Sequence, residues 1–270
     1  GSEMCIRDRF GGIHRGFTPP SSGALKILNF GEGLEDSGLD LEAEKSWNKE
    51  IGIRGSLALF DYEIAGFHID IENLVAAGRG TAFKNLGKVN SQGVEVRTDF
   101  LLSKMSKLLP NLGVAYTYLS TEVLDGAILS NIQPVGTEVS INGKELPYSP
   151  DHTLNVGLEL NPVRNFFFRL DYKYVSKVYT DFQNLEDEDD RVGYNLGISG
   201  PIPEYSLLNL SSSYQFSQKM KLFLSGKNIT DEVYIGSRLH SNPGQKDANI
   251  SSGILPGARR QINLGIEYTF

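Results

Sequence analysis

The sequence of 270 residues contains a single cysteine, Cys5. One thiol excludes both a disulfide framework and a cysteine-built metal site. Long apolar runs are also missing: no stretch approaches the roughly 18 consecutive apolar residues of a membrane-spanning helix. Positive charge is scarce, with 26 Lys+Arg against 33 Asp+Glu and a net charge of −7. A nucleic-acid partner, which needs a basic face, is therefore not expected. There is no Walker loop and no Rossmann fingerprint, and His14, His68, His152 and His240 show no close metal-ligand spacing. Neither a cofactor nor a bound metal is expected. The first nine residues lack the apolar core and small-residue cleavage site of a secretory signal. Residues 1–9 read as a foreign leader, similar to translated adapter sequence, or as a disordered native tail.

What the chain does have is 29 Gly, 12 Tyr and 14 Phe, a composition of turns and pleated strands. The carboxyl-terminal end alternates without error. Ile262, Leu264, Ile266, Tyr268 and Phe270 fall on one face, and Gln261, Asn263, Gly265, Glu267 and Thr269 on the other. That is a strand with one apolar and one polar side. The same period recurs upstream, for example in Leu154, Val156, Leu158 and Leu160 against Asn155, Gly157, Glu159 and Asn161, and in Phe67, Ile69 and Ile71 against His68, Asp70 and Glu72. About ten such strands are countable, many of them long enough to cross a bilayer at a tilt.

The connections decide the class. Turns near residues 60–62, 103–110, 161–165 and 217–219 are short; those at 18–44, 75–87, 120–151, 176–204 and 230–257 are long and polar. Short and long alternate, so in an up-and-down meander every short turn lies at one end. Outer-membrane barrels have that asymmetry, with short periplasmic turns and long extracellular loops. The apolar face then meets lipid, and inward Arg54, Glu95, Arg97, Asp99, Arg169, Asp171 and Lys173 are solvated by a wet or plugged lumen. Tyr116, Tyr118, Tyr172, Tyr174, Tyr214 and Tyr268 suit the interfacial aromatic girdles. A soluble β-sandwich binding module is the alternative.

Three stretches carry a family resemblance: Phe10-Gly11-Gly12-Ile13-His14-Arg15-Gly16-Phe17-Thr18-Pro19-Pro20; the re-entry strand around Trp47-Asn48-Lys49-Glu50-Ile51-Gly52; and Leu224-Ser225-Gly226-Lys227-Asn228-Ile229-Thr230-Asp231-Glu232-Val233-Tyr234. In that order, and with the terminal Phe270, they resemble the barrel of TonB-dependent outer-membrane receptors over nearly all of residues 10–270. The resemblance implies an all-β, transmembrane, antiparallel up-and-down β-barrel. It further implies that this chain is the carboxyl-terminal portion of a 22-stranded barrel whose plug domain is missing, because an open half-barrel exposes unpaired edges to lipid. A small complete barrel, either a porin or a barrel enzyme, is the alternative.

The resemblance also implies function. The expected activity is import of a ferric chelate, driven through the missing plug by the TonB–ExbB–ExbD complex. Outer-membrane lipid and the barrel assembly machinery are the other expected partners, the latter reading a terminal signal that includes Tyr268 and Phe270. The segments around His14 and from Tyr234 to Arg260 look most like the ferric dicitrate branch. Arg forks suit carboxylates, so Arg79, Arg238, His240 and Asn249 in loops, with lumenal Arg54, Arg97 and Arg169, are the candidate ligand contacts; pairing of each Arg with a neighbouring carboxylate is the competing reading. No catalytic residue is expected, since one His beside common loop residues does not make a triad. The acidic run Glu186-Asp187-Glu188-Asp189-Asp190 reads as a solvated loop with the capacity to bind a cation.

Overall fold

A computed structural model describes residues 7–20, 41–77, 83–129, 137–186, 200–238 and 253–270. Strands β1 (Arg7–Thr18), β2 (Glu44–Ser56) and β3 (Phe60–Glu72) are followed by a small hairpin, β4 (Val75–Ala77) and β5 (Phe83–Asn85). Next come β6 (Lys88–Phe100), β7 (Asn111–Asp125) and a second small hairpin, β8 (Ala127–Leu129) and β9 (Glu138–Ser140). The chain continues through β10 (His152–Leu160), β11 (Phe166–Val175), β12 (Tyr205–Gln215) and β13 (Met220–Lys227). It ends with a third hairpin, β14 (Ile235–Arg238) and β15 (Ile254–Pro256), and with β16 (Gln261–Tyr268).

Ten strands form one sheet in the order β1-β2-β3-β6-β7-β10-β11-β12-β13-β16. Every adjacent pair is antiparallel. The strands are therefore in chain order, and the three small hairpins belong to the long connections at one end. Short turns occupy the other end. Leu57 N–H donates to Phe60 O at 2.8 Å in the β2–β3 turn, so this turn precedes Phe60 and residues 60–62 are strand. Strand β1 begins at Arg7, three residues ahead of the leader boundary drawn from sequence.

Opposite residues of an antiparallel pair point to the same face, so the register defines two surfaces. One carries Ile53, Ile64, Val96, Tyr116, Leu154 and Tyr174 in a single row. This apolar face is open: Ile51 is 74% and Leu264 75% exposed. In water such a surface would aggregate; in a bilayer it is the outer wall. Its edge toward the short turns is aromatic, with Phe60 against Phe100, Tyr214 against Phe216 and Tyr268 against Phe270.

The long-loop end reverses this polarity, and here the sequence reading is corrected. Phe67, Ile69 and Ile71 lie on the inner face and His68 and Asp70 on the outer one, because the apolar phase of β3 changes across the small residues Ala65 and Gly66. Ile71, Val89 and Val123 form one inner row. Val89 and Val123 are buried with Ala76, Leu86, Ile128 and Ile141, which come from the first two small hairpins and the loops beside them. Above the lipid the outside of the strand is wet and its inside is roofed by hairpins, so burial favours the opposite phase.

Candidate functional site

The inner face is where charge collects. Asp8, Arg54, Glu63, Arg97, Ala115, Asn155 and Lys173 form one continuous row across the sheet. The row beside it, nearer the short turns, runs Asp61, Asp99, Gly113, Gly157, Asp171 and Asn209. A row rich in cations thus lies alongside a row rich in carboxylates. Asp61 directly opposite Asp99 is a repulsive placement. Arg97 relieves it, its Nε donating to Asp99 Oδ2 at 3.3 Å.

Between Arg97 and Arg169 the two rows enclose a cleft of about 430 Å³. Its depth comes from glycine: a Cβ on Gly157 would stand 3.2 Å from Asp171 Oδ1 and 3.4 Å from Arg169 Nη2. Arg169 is forked onto Asp171, with Nε 2.9 Å from both carboxylate oxygens, and its Nη1 is 3.8 Å from Glu159. Arg54 donates to Asp8 from Nη2 at 2.8 Å. All three lumenal arginines predicted as ligand contacts therefore lie on the inner face, and each has a carboxylate partner. Their side chains are nevertheless 46% to 74% exposed. Pairs that open are worth at most about 1 kcal/mol, so an incoming carboxylate can compete for the guanidinium.

Arg238 has a different setting. It is 3% exposed; its Nη2 and Nε donate to Pro201 O at 2.9 and 3.3 Å, and its carbonyl accepts from Tyr148 Oη at 3.0 Å. Tyr148 has φ 58°, a left-handed conformation costly for a bulky residue, and is held there by its N–H donating to Tyr179 O at 2.8 Å. Asn184 completes the bracing: it accepts from Glu145 N–H at 2.7 Å and donates to Glu145 O at 3.0 Å. Arg238 thus joins the loops after β7, β11 and β13. Tyr148 and Asn184 were not foreseen, and no periodic or motif signal marks them. Arg79, His240 and Asn249 lie outside the described residues.

Glu186, the first of the acidic run, accepts from Tyr179 Oη and from Lys177 Nζ. These bonds lower its pKa, while Glu186 and Tyr179 raise that of Lys177. Residues 187–190 lie outside the described residues. In the last loop, the Arg259 guanidinium and the Arg260 N–H outweigh a smaller desolvation penalty at Asp231 and hold its carboxyl well below the usual carboxylate range. Asn228 is 3% exposed and donates to Glu232 O and Ala258 O, both at 2.9 Å. The motif residues Asn228 and Asp231 close the base of this loop. Tyr268 and Phe270 remain exposed at the short-turn end, 54% and 102% respectively.

A family model described as "TonB dependent receptor-like, beta-barrel" matches residues 9–229. The chain belongs to this family. It is part of the β-barrel of a TonB-dependent receptor, a family of the outer membrane of Gram-negative bacteria. Among solved receptors it is similar to the ferric-catecholate import receptor Fiu of E. coli K12, with TM-score 0.69 and 18% identity over 98% of this chain and 33% of that one. Similarity to the siderophore receptor PiuA of Acinetobacter baumannii has TM-score 0.70 and 16% identity, over 97% and 34% of the respective chains. The ferric citrate transporter FecA matches with TM-score 0.63 and 24% identity, over 83% and 31%. The chain thus spans about a third of these receptors' length. It is also 27% identical, over 66% of its own length and 60% of the other's, to a protein of Aromatoleum aromaticum described as NAD kinase. At that identity the description is not carried over to this chain.

Proposed function

We propose that a receptor containing this barrel imports an anionic ferric chelate, ferric dicitrate being the best fit, with energy supplied through a plug domain by TonB, ExbB and ExbD. The observation that carries the reading is the inner cleft. Arg97, Arg169 and Lys173 surround a glycine-floored space, and the exposed ion pairs of Arg97 and Arg169 can exchange a protein carboxylate for a ligand carboxylate. The likeness to a ferric citrate transporter supports the choice of ligand. Arg238 acts as a positioning residue that holds three extracellular loops, and Arg79, His240 and Asn249 stand as loop contacts.

The test is a titration of the detergent-solubilised full-length receptor with ferric dicitrate, ferric hydroxamate and iron-free citrate. Saturable binding of ferric dicitrate alone is expected. Arg169→Gln is expected to weaken it about tenfold, the loss of one charge-assisted hydrogen bond. Equal binding of all three probes would overturn the ligand, and unchanged affinity in Arg169→Gln would remove the cleft from the path.

A further inference from the structure

The cations of the inner face are not equally committed. Arg54, Arg97 and Arg169 each hold a carboxylate. Lys173 does not: among the described residues its Nζ has no hydrogen bond and no ion pair. Asp171, the carboxylate two positions before it on the same face, is forked by Arg169. Lys173 is exposed to the lumen, so its ammonium keeps all three donors for an incoming group. Asn155 stands directly opposite it on β10 and is exposed as well. The Asn155 amide is likewise without a partner among the described residues.

The neighbouring row decides where an anion can rest. A Cβ on Gly113 would stand 3.0 Å from Asp99 Oδ1, and one on Gly157 3.2 Å from Asp171 Oδ1. Gly113 and Gly157 are opposite each other, so the two carboxylates lean over the glycine floor from either side. An anion on that floor meets like charge. One row higher, toward the extracellular loops, come Arg97, Ala115, Asn155 and Lys173, with no carboxylate among the four. All of them line the same cleft. Arg97 and Lys173 are three strand spacings apart, about 14 Å, and Ala115 leaves the space between them open.

We infer that Lys173, with Asn155 beside it, is the primary anchor of the imported anionic chelate, which lies along this upper row toward Arg97. This role rests on the reading of the receptor as an importer of an anionic ferric chelate, and adds which residue of the cleft holds the ligand. Arg97 and Arg169 must release a protein carboxylate before they bind one from the ligand. Lys173 releases only water, so the same contact yields a larger net gain. The Asn155 amide, with two donors, serves a second oxygen of the same carboxylate.

The full-length receptor in detergent would be titrated with ferric dicitrate in its wild-type, Lys173→Gln and Lys173→Arg forms, with heat-modifiable gel mobility reporting folding. Lys173→Gln is expected to weaken binding about thirtyfold, more than Arg169→Gln, because an unshared charge-assisted contact is lost. Lys173→Arg is expected to stay within about threefold of wild type, since it keeps the charge. Unchanged affinity in folded Lys173→Gln, with wild-type binding intact, would overturn the anchor and leave the reading of the receptor standing. A loss as large in Lys173→Arg as in Lys173→Gln would also overturn it, because the side chain would then serve shape and not charge. A wild-type receptor that binds no ferric dicitrate would overturn the reading itself, and the anchor with it.

Discussion

Asp231 shows how one side chain closes a loop. Its carboxylate accepts from Arg259 Nε at 2.9 Å and Nη2 at 2.6 Å, and from Arg260 N–H at 3.0 Å. It also sits at φ 58°, a left-handed conformation that Asp tolerates better than most residues. A folded-state pKa below the unfolded value means that the clamp contributes fully above about pH 4, the range of a free Asp, and is lost only as pH falls through the lower folded value. Mild acid should therefore leave the last loop closed, whereas Asp231→Asn should open it at neutral pH. Limited proteolysis between Asp231 and Arg260 across pH reads this directly. Cleavage of the wild-type loop beginning near pH 5 would contradict the clamp.

At the scale of elements, the small hairpins matter more than their length suggests. The β4–β5 and β8–β9 hairpins, with the loop residues beside them, seal Leu86, Ile128 and Ile141 against the inner side of β6 and β7. Leu86 and Ile141 are both fully buried. Leu86→Ala should cost about 3 kcal/mol, a typical value for a cavity left by a buried leucine. The loss should be local. Hydrogen exchange is expected to rise in residues 73–87 and 126–144, while strands in the lipid-facing sheet keep their protection. Uniform loss of protection would mean that this cluster holds the whole sheet rather than its extracellular end. Thr121 adds to the same region, its Oγ1 accepting from Leu146 N–H at 3.0 Å.

For the whole molecule, the ends of the sheet dominate. β1 and β16 are its two edges, each presenting backbone donors and acceptors that hydrocarbon cannot satisfy. Residues 1–270 expressed alone are expected to run on gels without heat-modifiable mobility, and the same residues within the full-length receptor to show it. A heat-modifiable band from this chain alone would instead support a small closed barrel. The open apolar face points the same way: it is a lipid-facing wall and not a core awaiting a second sheet.

Much of this was legible in the sequence because lipid imposes a strict pattern. A strand between oil and water must alternate, and a meander with loops of unequal length must keep its short turns together. Residues 261–270 and 154–161 show the alternation, and the outward face, the strand count and the inward Arg54, Arg97 and Arg169 follow from it. The same rule misplaced Phe67, Ile69 and Ile71, because period two fixes which residues share a face but not which face is inside. That choice needs the surroundings, and above the membrane the surroundings are reversed. Tertiary structure alone joined Arg238 to Pro201 and Tyr148, residues far apart in the chain. It alone placed Asn155 and Lys173 in one row with Ala115 and Arg97. Sequence by itself determined the local alternation and hence the family of fold; distance in space, set by register across ten strands, decided which charges and cavities meet.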